Sequence, residues 1–113
     1  MEKPKPRKRP AVEDPRFAAL AQYFADDGSV SHGMMMSSYG LKVDGKIFAM
    51  VVDGRLVVKL PKHRVDTLIA AGLAARFDPG HGRLMKEWAT LKGDEPAWVD
   101  IAREAIGFVR SLV

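Results

Sequence analysis

The chain has 113 residues, no cysteine and a formal net charge of +4. That length suits one domain with an ordinary core, and the lack of cysteine excludes disulfides and thiolate metal centres and fits a reducing cytoplasm. Lys3, Lys5, Arg7, Lys8 and Arg9 against Glu2 account for the whole net charge; no apolar stretch follows them as a signal peptide requires, and apolar runs such as Ile47 to Val52 are too short to span a bilayer.

Pro4, Pro6 and Pro10 keep the basic start extended and non-helical, so residues 1–13 are expected to form a disordered tail ahead of a domain at 14–113. Such a tail can attract nucleic acid through counterion release. It serves more plainly as a solubilising start, since it has no aromatic to stack on bases. Asp14-Pro15 reads as an N-cap followed by proline at the first helical position. Phe17, Leu20, Ala21 and Phe24 then fall on one face of a helix over about 14–26, ended by Gly28.

The run Met34-Met35-Met36-Ser37-Ser38 leads into Tyr39–Val43, a first strand that is irregular near Gly33 or Gly40. Three successive methionines cannot all face one side of a strand. They either pack as adaptable core and edge residues or form a partner surface. Asp44-Gly45 and Asp53-Gly54 separate Tyr39–Val43, Lys46–Val52 and Arg55–Leu60. An Asp-Gly pair between apolar runs is a strong hairpin signal, because the tight turn needs positive φ at both central residues. The three segments therefore form an antiparallel meander. Pro61 stops the third strand. Lys62–Ala71 reads as a helix with Val65, Leu68 and Ile69 inward, Leu73–Phe77 as a fourth strand, and Arg83–Leu91 as a fifth after the turn-rich 78–82. Asp94 can cap a last helix, in which Trp98, Ile101, Ala102, Ala105, Phe108, Val109 and Leu112 repeat at helical spacing. The fold class expected is two-layer α+β, in the order α-β(3)-α-β(2)-α, with a mainly antiparallel five-stranded sheet and helices packed on it.

The chemistry-bearing residues are sparse. His32, His63 and His81 show no ligand spacing, so neither a metal nor another cofactor is expected. Asp78-Pro79-Gly80-His81-Gly82-Arg83 could cradle an anion but reads equally as a hairpin connection. Lys59, Lys62, His63 and Arg64 form a basic knot at the end of a strand and the start of a helix, where an anion could bind or the side chains could simply be solvated. Ser29, Ser31, Ser37 and Ser38 lack a nucleophile context, and Trp88 and Trp98 read as core or rim packing, each indole N–H reaching a polar group.

The run YGLKVDGKIFAMVVDGRLVVKLPKHRV, then AAGLAARFDPGHGRLMKEWATL, then the Trp98-containing helix resembles the N-terminal domain of the TfoX/Sxy family over about residues 14–113. The resemblance implies the α-β(3)-α-β(2)-α fold, similar to MmcQ/YjbR-like and type III secretion-chaperone-like domains. Full-length members regulate DNA-uptake competence together with a catabolite-type transcription activator. They carry a second, C-terminal domain, which a chain ending at Val113 is expected to lack. The resemblance supplies no catalytic residues.

Two readings follow. In the first, the chain is a cytoplasmic, non-enzymatic interaction or regulatory module that binds a protein partner or its own copy through the sheet or through Met34, Met35 and Met36. In the second, it is a nucleic-acid-associated protein using Lys3, Lys5, Arg7, Lys8 and Arg9, extended by Lys59, Lys62, Arg64 and Arg83. No membrane partner is expected.

Overall fold

Asp44 and Gly45 take φ of 51° and 81°, and Asp53 and Gly54 take 52° and 78°. Both central residues of each turn are thus left-handed, the type I′ geometry whose twist matches the strands it joins. The computed structural model describes residues 14–35, 38–79, 82 and 84–112. They form α1 (Pro15–Tyr23), β1 (Val30–Met35), β2 (Ser38–Val43), β3 (Lys46–Val52), β4 (Arg55–Lys59), α2 (Lys62–Ala70), β5 (Ala74–Phe77), β6 (Met85–Leu91) and α3 (Trp98–Ser111). The basic residues 1–13 lie outside the described part.

The strands make one six-stranded sheet in the order β1-β2-β3-β4-β6-β5, and every neighbouring pair is antiparallel. The α+β class holds, with one strand more than the sequence suggested. The addition is β1: the methionine run and Tyr39–Val43, read as one first strand, belong to two, Val30–Met35 and Ser38–Val43. Ser31 and His32 are exposed, so no apolar alternation marks the start of β1. Met34 and Met35 end β1, and residues 36–37 separate it from β2. Gly33 and Gly40 pair with each other in register, and the irregularity expected near Gly40 begins at the next residue, in the pairing of β2 with β3. Leu41 pairs with Ala49 but Lys42 with Ile47, leaving Phe48 of β3 as the extra residue of a β-bulge. The bulge turns Phe48 and Ala49, both fully buried, into the core together. Phe48 meets Phe24 edge-to-face at 5.5 Å, a geometry worth about 0.5–1.5 kcal/mol beyond the buried area.

All three helices cover one face of the sheet. α3 lies on β2, β3 and β4, α2 on β5 and β6, and α1 beside α3. Their shared core runs through Phe17, Leu20, Leu41, Leu56, Val58, Leu68, Leu91 and Ile101. α3 has Ala97 as its N-cap, with no side-chain capping bond; Asp94, the expected cap, is engaged elsewhere. Packing holds the helix instead. Trp98, Ile101, Ala102, Ala105, Ile106 and Val109 are buried along it, and each large apolar side chain so buried contributes roughly 1.5–3 kcal/mol. α1 does have its cap: Asp14 Oδ1 accepts from Arg16 N–H at 2.9 Å.

Among the described residues, the other face of the sheet carries no helix. Strand alternation places Ile47, Met50, Val52, Val57, Trp88 and Thr90 there. Val57, between its cross-strand partners Met50 and Thr90, is fully buried, while the rest are half-buried. Gly40 belongs to this face. A Cβ on it would lie 2.9 Å from Ile47 Cδ1 and 3.0 Å from the Ala49 carbonyl oxygen, so its bareness lets Ile47 lie across β2.

Candidate functional site

The basic knot resolves into ion pairs. Lys59 Nζ lies 3.5 Å from Glu87 Oε1 and 5.4 Å from the centre of the Trp88 ring. Lys62 Nζ is 2.8 Å from Asp66 Oδ2, whose other oxygen accepts from Arg76. The Lys62 bond, then the Arg76 bond, hold the Asp66 carboxyl below its usual range. Arg64 turns away from both and grips Glu104 of α3 with two bonds of 2.8 and 3.0 Å. Lys59 and Lys62 do border one open depression, of about 400 Å³, with Lys86, Glu87, Trp88 and Leu84; Arg64 does not. The remaining candidate anion contacts, Lys3, Lys5, Arg7, Lys8, Arg9 and Arg83, lie outside the described residues, as do Met36 and His81.

The histidines do not converge. His32 sits on β1 with its ring 5.9 Å from that of Tyr39. His63 is in the first turn of α2, its carbonyl accepting from Thr67 Oγ1 at 2.9 Å. Among the described residues no three His, Cys, Asp or Glu side chains gather as metal ligands. Trp98 Nε1 donates to the Gly93 carbonyl at 3.3 Å, as the reading of a packed indole required.

Two charged ties were missed. Arg16 donates to both oxygens of Asp14, to Asp94 Oδ1 at 2.9 Å and to the Gly54 carbonyl at 2.8 Å, and its guanidinium stacks on Trp98. The Arg16 bond is the main cause holding the Asp14 carboxyl below its usual range. At the far end of α3, Arg110 donates to Asp27 Oδ2 and Ser29 Oγ, both at 2.8 Å. Ser29 also donates to Asp27 Oδ1 through hydroxyl and backbone N–H. The Ser29 bonds first, and then Arg110, hold the Asp27 carboxyl down to about 2. The spacing Asp27-x-Ser29 is the only local signal for this turn; the arginines arrive from distant sequence.

The feature with recognition geometry is the β1 end of the sheet. β1 is an outer strand, and beside it, on the helix side, an apolar groove of about 390 Å³ runs between Phe17, Ala18, Ala21, Val30, His32 and Tyr39. The candidate partner residues Met34 and Met35 are on this strand.

The architecture is that of a two-layer α+β domain with an open antiparallel sheet roofed on one side. The family model for the TfoX N-terminal domain matches residues 22–108, most of the chain, and the chain belongs to that family. The match begins inside α1, so Asp14 and Arg16 stand outside it. No curated protein and no solved structure matches the chain. Among the described residues, no helix is long and apolar enough to cross a membrane.

Proposed function

We propose that the chain is a non-enzymatic interaction module acting in regulation, in the control of transcription or DNA-uptake competence that its family suggests, in a reducing cytoplasm suited to a cysteine-free sequence. The observation that carries this reading is the one-sided roofing of the sheet: the second face offers Ile47, Met50, Val52 and Trp88 half-buried, and an outer strand closes it. Apolar side chains arrayed on a rigid sheet recognise a protein rather than a small substrate. The test is crosslinking of the intact chain in cells followed by mass spectrometry, with Met50→Glu and His32→Lys as surface variants. A defined crosslinked protein lost in one variant is the expected result. No crosslinked protein, or only products indifferent to both variants, would overturn the reading.

The concentrated charge at residues 3–9 supports a second reading, a nucleic-acid-associated protein. Because Lys59, Lys62 and Arg64 each face a carboxylate, this reading rests on the tail. Salt-dependent retention of duplex DNA should then vanish on deletion of residues 1–10 and survive alanine at those three positions. Affinity and salt slope unchanged by the deletion would exclude it.

A further inference from the structure

The inference rests on the interaction-module reading and names the partner. We infer that β1 pairs edge to edge, antiparallel, with β1 of a second copy of this chain.

The phase of the ladder shows which backbone groups are open. Asp44 N–H donates to the Ser29 carbonyl at 2.9 Å, which continues the β1–β2 register by one pair beyond Val30↔Val43. In an antiparallel ladder, alternate residues point their backbone groups to opposite sides. Ser31, Gly33 and Met35 therefore face β2, and Val30, His32 and Met34 face the open edge. Val30 N–H is occupied by the Asp27 carbonyl at 3.0 Å. Among the described residues, the N–H and C=O of His32 and Met34, with the Val30 carbonyl, meet no other strand, and they form a row that a strand can fill.

The two edges of the sheet are not treated alike. β5, at the far end, has four residues, carries Arg76, and breaks register with β6 at Arg76/Phe77. A short, charged, irregular edge resists further pairing. β1 has none of these protections. It runs six residues, Val30–Met35, in unbroken register with β2, and contains no charged residue and no proline. Such an edge is a template for another strand.

A second copy is the occupant that fits. A two-fold axis at His32 places His32 against His32 of the copy and Val30 against its Met34, so every open residue meets an open residue. No like charges oppose one another, because the strand has none. The apolar groove beside Phe17, Ala21 and Tyr39 adjoins the same edge and adds area that strand pairing alone would lack.

The experiment is light scattering of the full chain at increasing concentration, with His32→Lys and, as an edge control, Ala75→Lys on β5. His32→Lys puts like charges opposite each other across the axis without removing a backbone group. The expected result is a mass rising to twice the 12.5 kDa of one chain, returning to one chain in His32→Lys and unchanged in Ala75→Lys. Should His32→Lys not fold, His32→Cys, the only thiol in the chain, must crosslink to its copy on mild oxidation; failure to do so overturns the pairing. A strictly monomeric chain, or a dimer that His32→Lys leaves intact, also overturns it. Neither result touches the broader reading, which falls only with the crosslinking test in cells.

Discussion

The guanidinium of Arg16 lies 4.4 Å from the centre of the Trp98 ring, so the opening turn of α1 is clamped to the opening turn of α3. The same group reaches Asp14, Asp94 and the Gly54 carbonyl. It therefore ties together a helix cap, the loop before α3 and the β3–β4 turn.

Arg16→Ala should lower stability by about 1–2 kcal/mol, given a partly exposed cation–π contact and several charge-assisted bonds. Arg16→Lys should recover less than half, because an ammonium cannot fork across several acceptors. Urea unfolding at constant m-value checks both; an unchanged midpoint for Arg16→Ala would show the clamp to be idle.

Acid should release the Asp27 tie. Its carboxyl titrates at about 2 in the folded chain, against about 3.9 in an unfolded one. A depressed folded-state pKa stabilises above the unfolded value, and that contribution is lost as pH falls through the interval to 2. Wild type should therefore exceed Asp27→Asn by a constant margin above pH ~5 and converge on it towards pH ~2. Parallel curves over that range would refute the assignment.

Gly40 and Gly33 face each other in the β1–β2 ladder yet should respond differently to alanine. At Gly40 the new Cβ meets the Ala49 carbonyl oxygen at 3.0 Å and Ile47 Cδ1 at 2.9 Å, and backbone cannot step aside. A loss of about 1–3 kcal/mol is expected, as for an overpacked core. At Gly33 the closest atom is Lys42 Cε at 3.2 Å, the end of a flexible side chain, and the effect should stay within about 0.5 kcal/mol. Thermal denaturation of the two variants decides it; equal losses would mean that the close approach across β2 is not the cause.

Arg64 and Glu104 join α2 to α3 by a two-pronged bond. A double-mutant cycle to alanine should return a coupling of about 0.5–1 kcal/mol, since both partners are part-exposed. The coupling should shrink in about 1 M salt. A coupling of zero at low salt would leave the helix pair held by packing alone.

The parts of the fold legible in the sequence are those where a local rule leaves few alternatives. Positive φ at two successive positions admits little besides Asn, Asp and Gly, so an Asp-Gly pair between apolar runs made both turns and the strands they join readable. The repeat from Trp98 to Val109 likewise has only a helix to satisfy it. β1 was illegible because an outer strand without a core stripe shows no period. The Phe48 bulge was hidden in Ile47–Val52, where a continuous apolar run carries no phase. For the candidate site the limit was different in kind. Lys59, Lys62 and Arg64 declare their charge in the sequence, but the carboxylates that answer them include Glu87 and Glu104, and only folding brings those near.

The strand order has a consequence for synthesis. β1 to β4 are adjacent in sequence and in space, with tight turns from β2 to β3 and from β3 to β4, so this half can zip by local steps as it leaves the ribosome. Its apolar side, with Leu41, Val51, Leu56 and Val58, shares one core with α1, before it in the chain, and with α3, encoded far downstream, so its cover should be complete only when α3 has emerged.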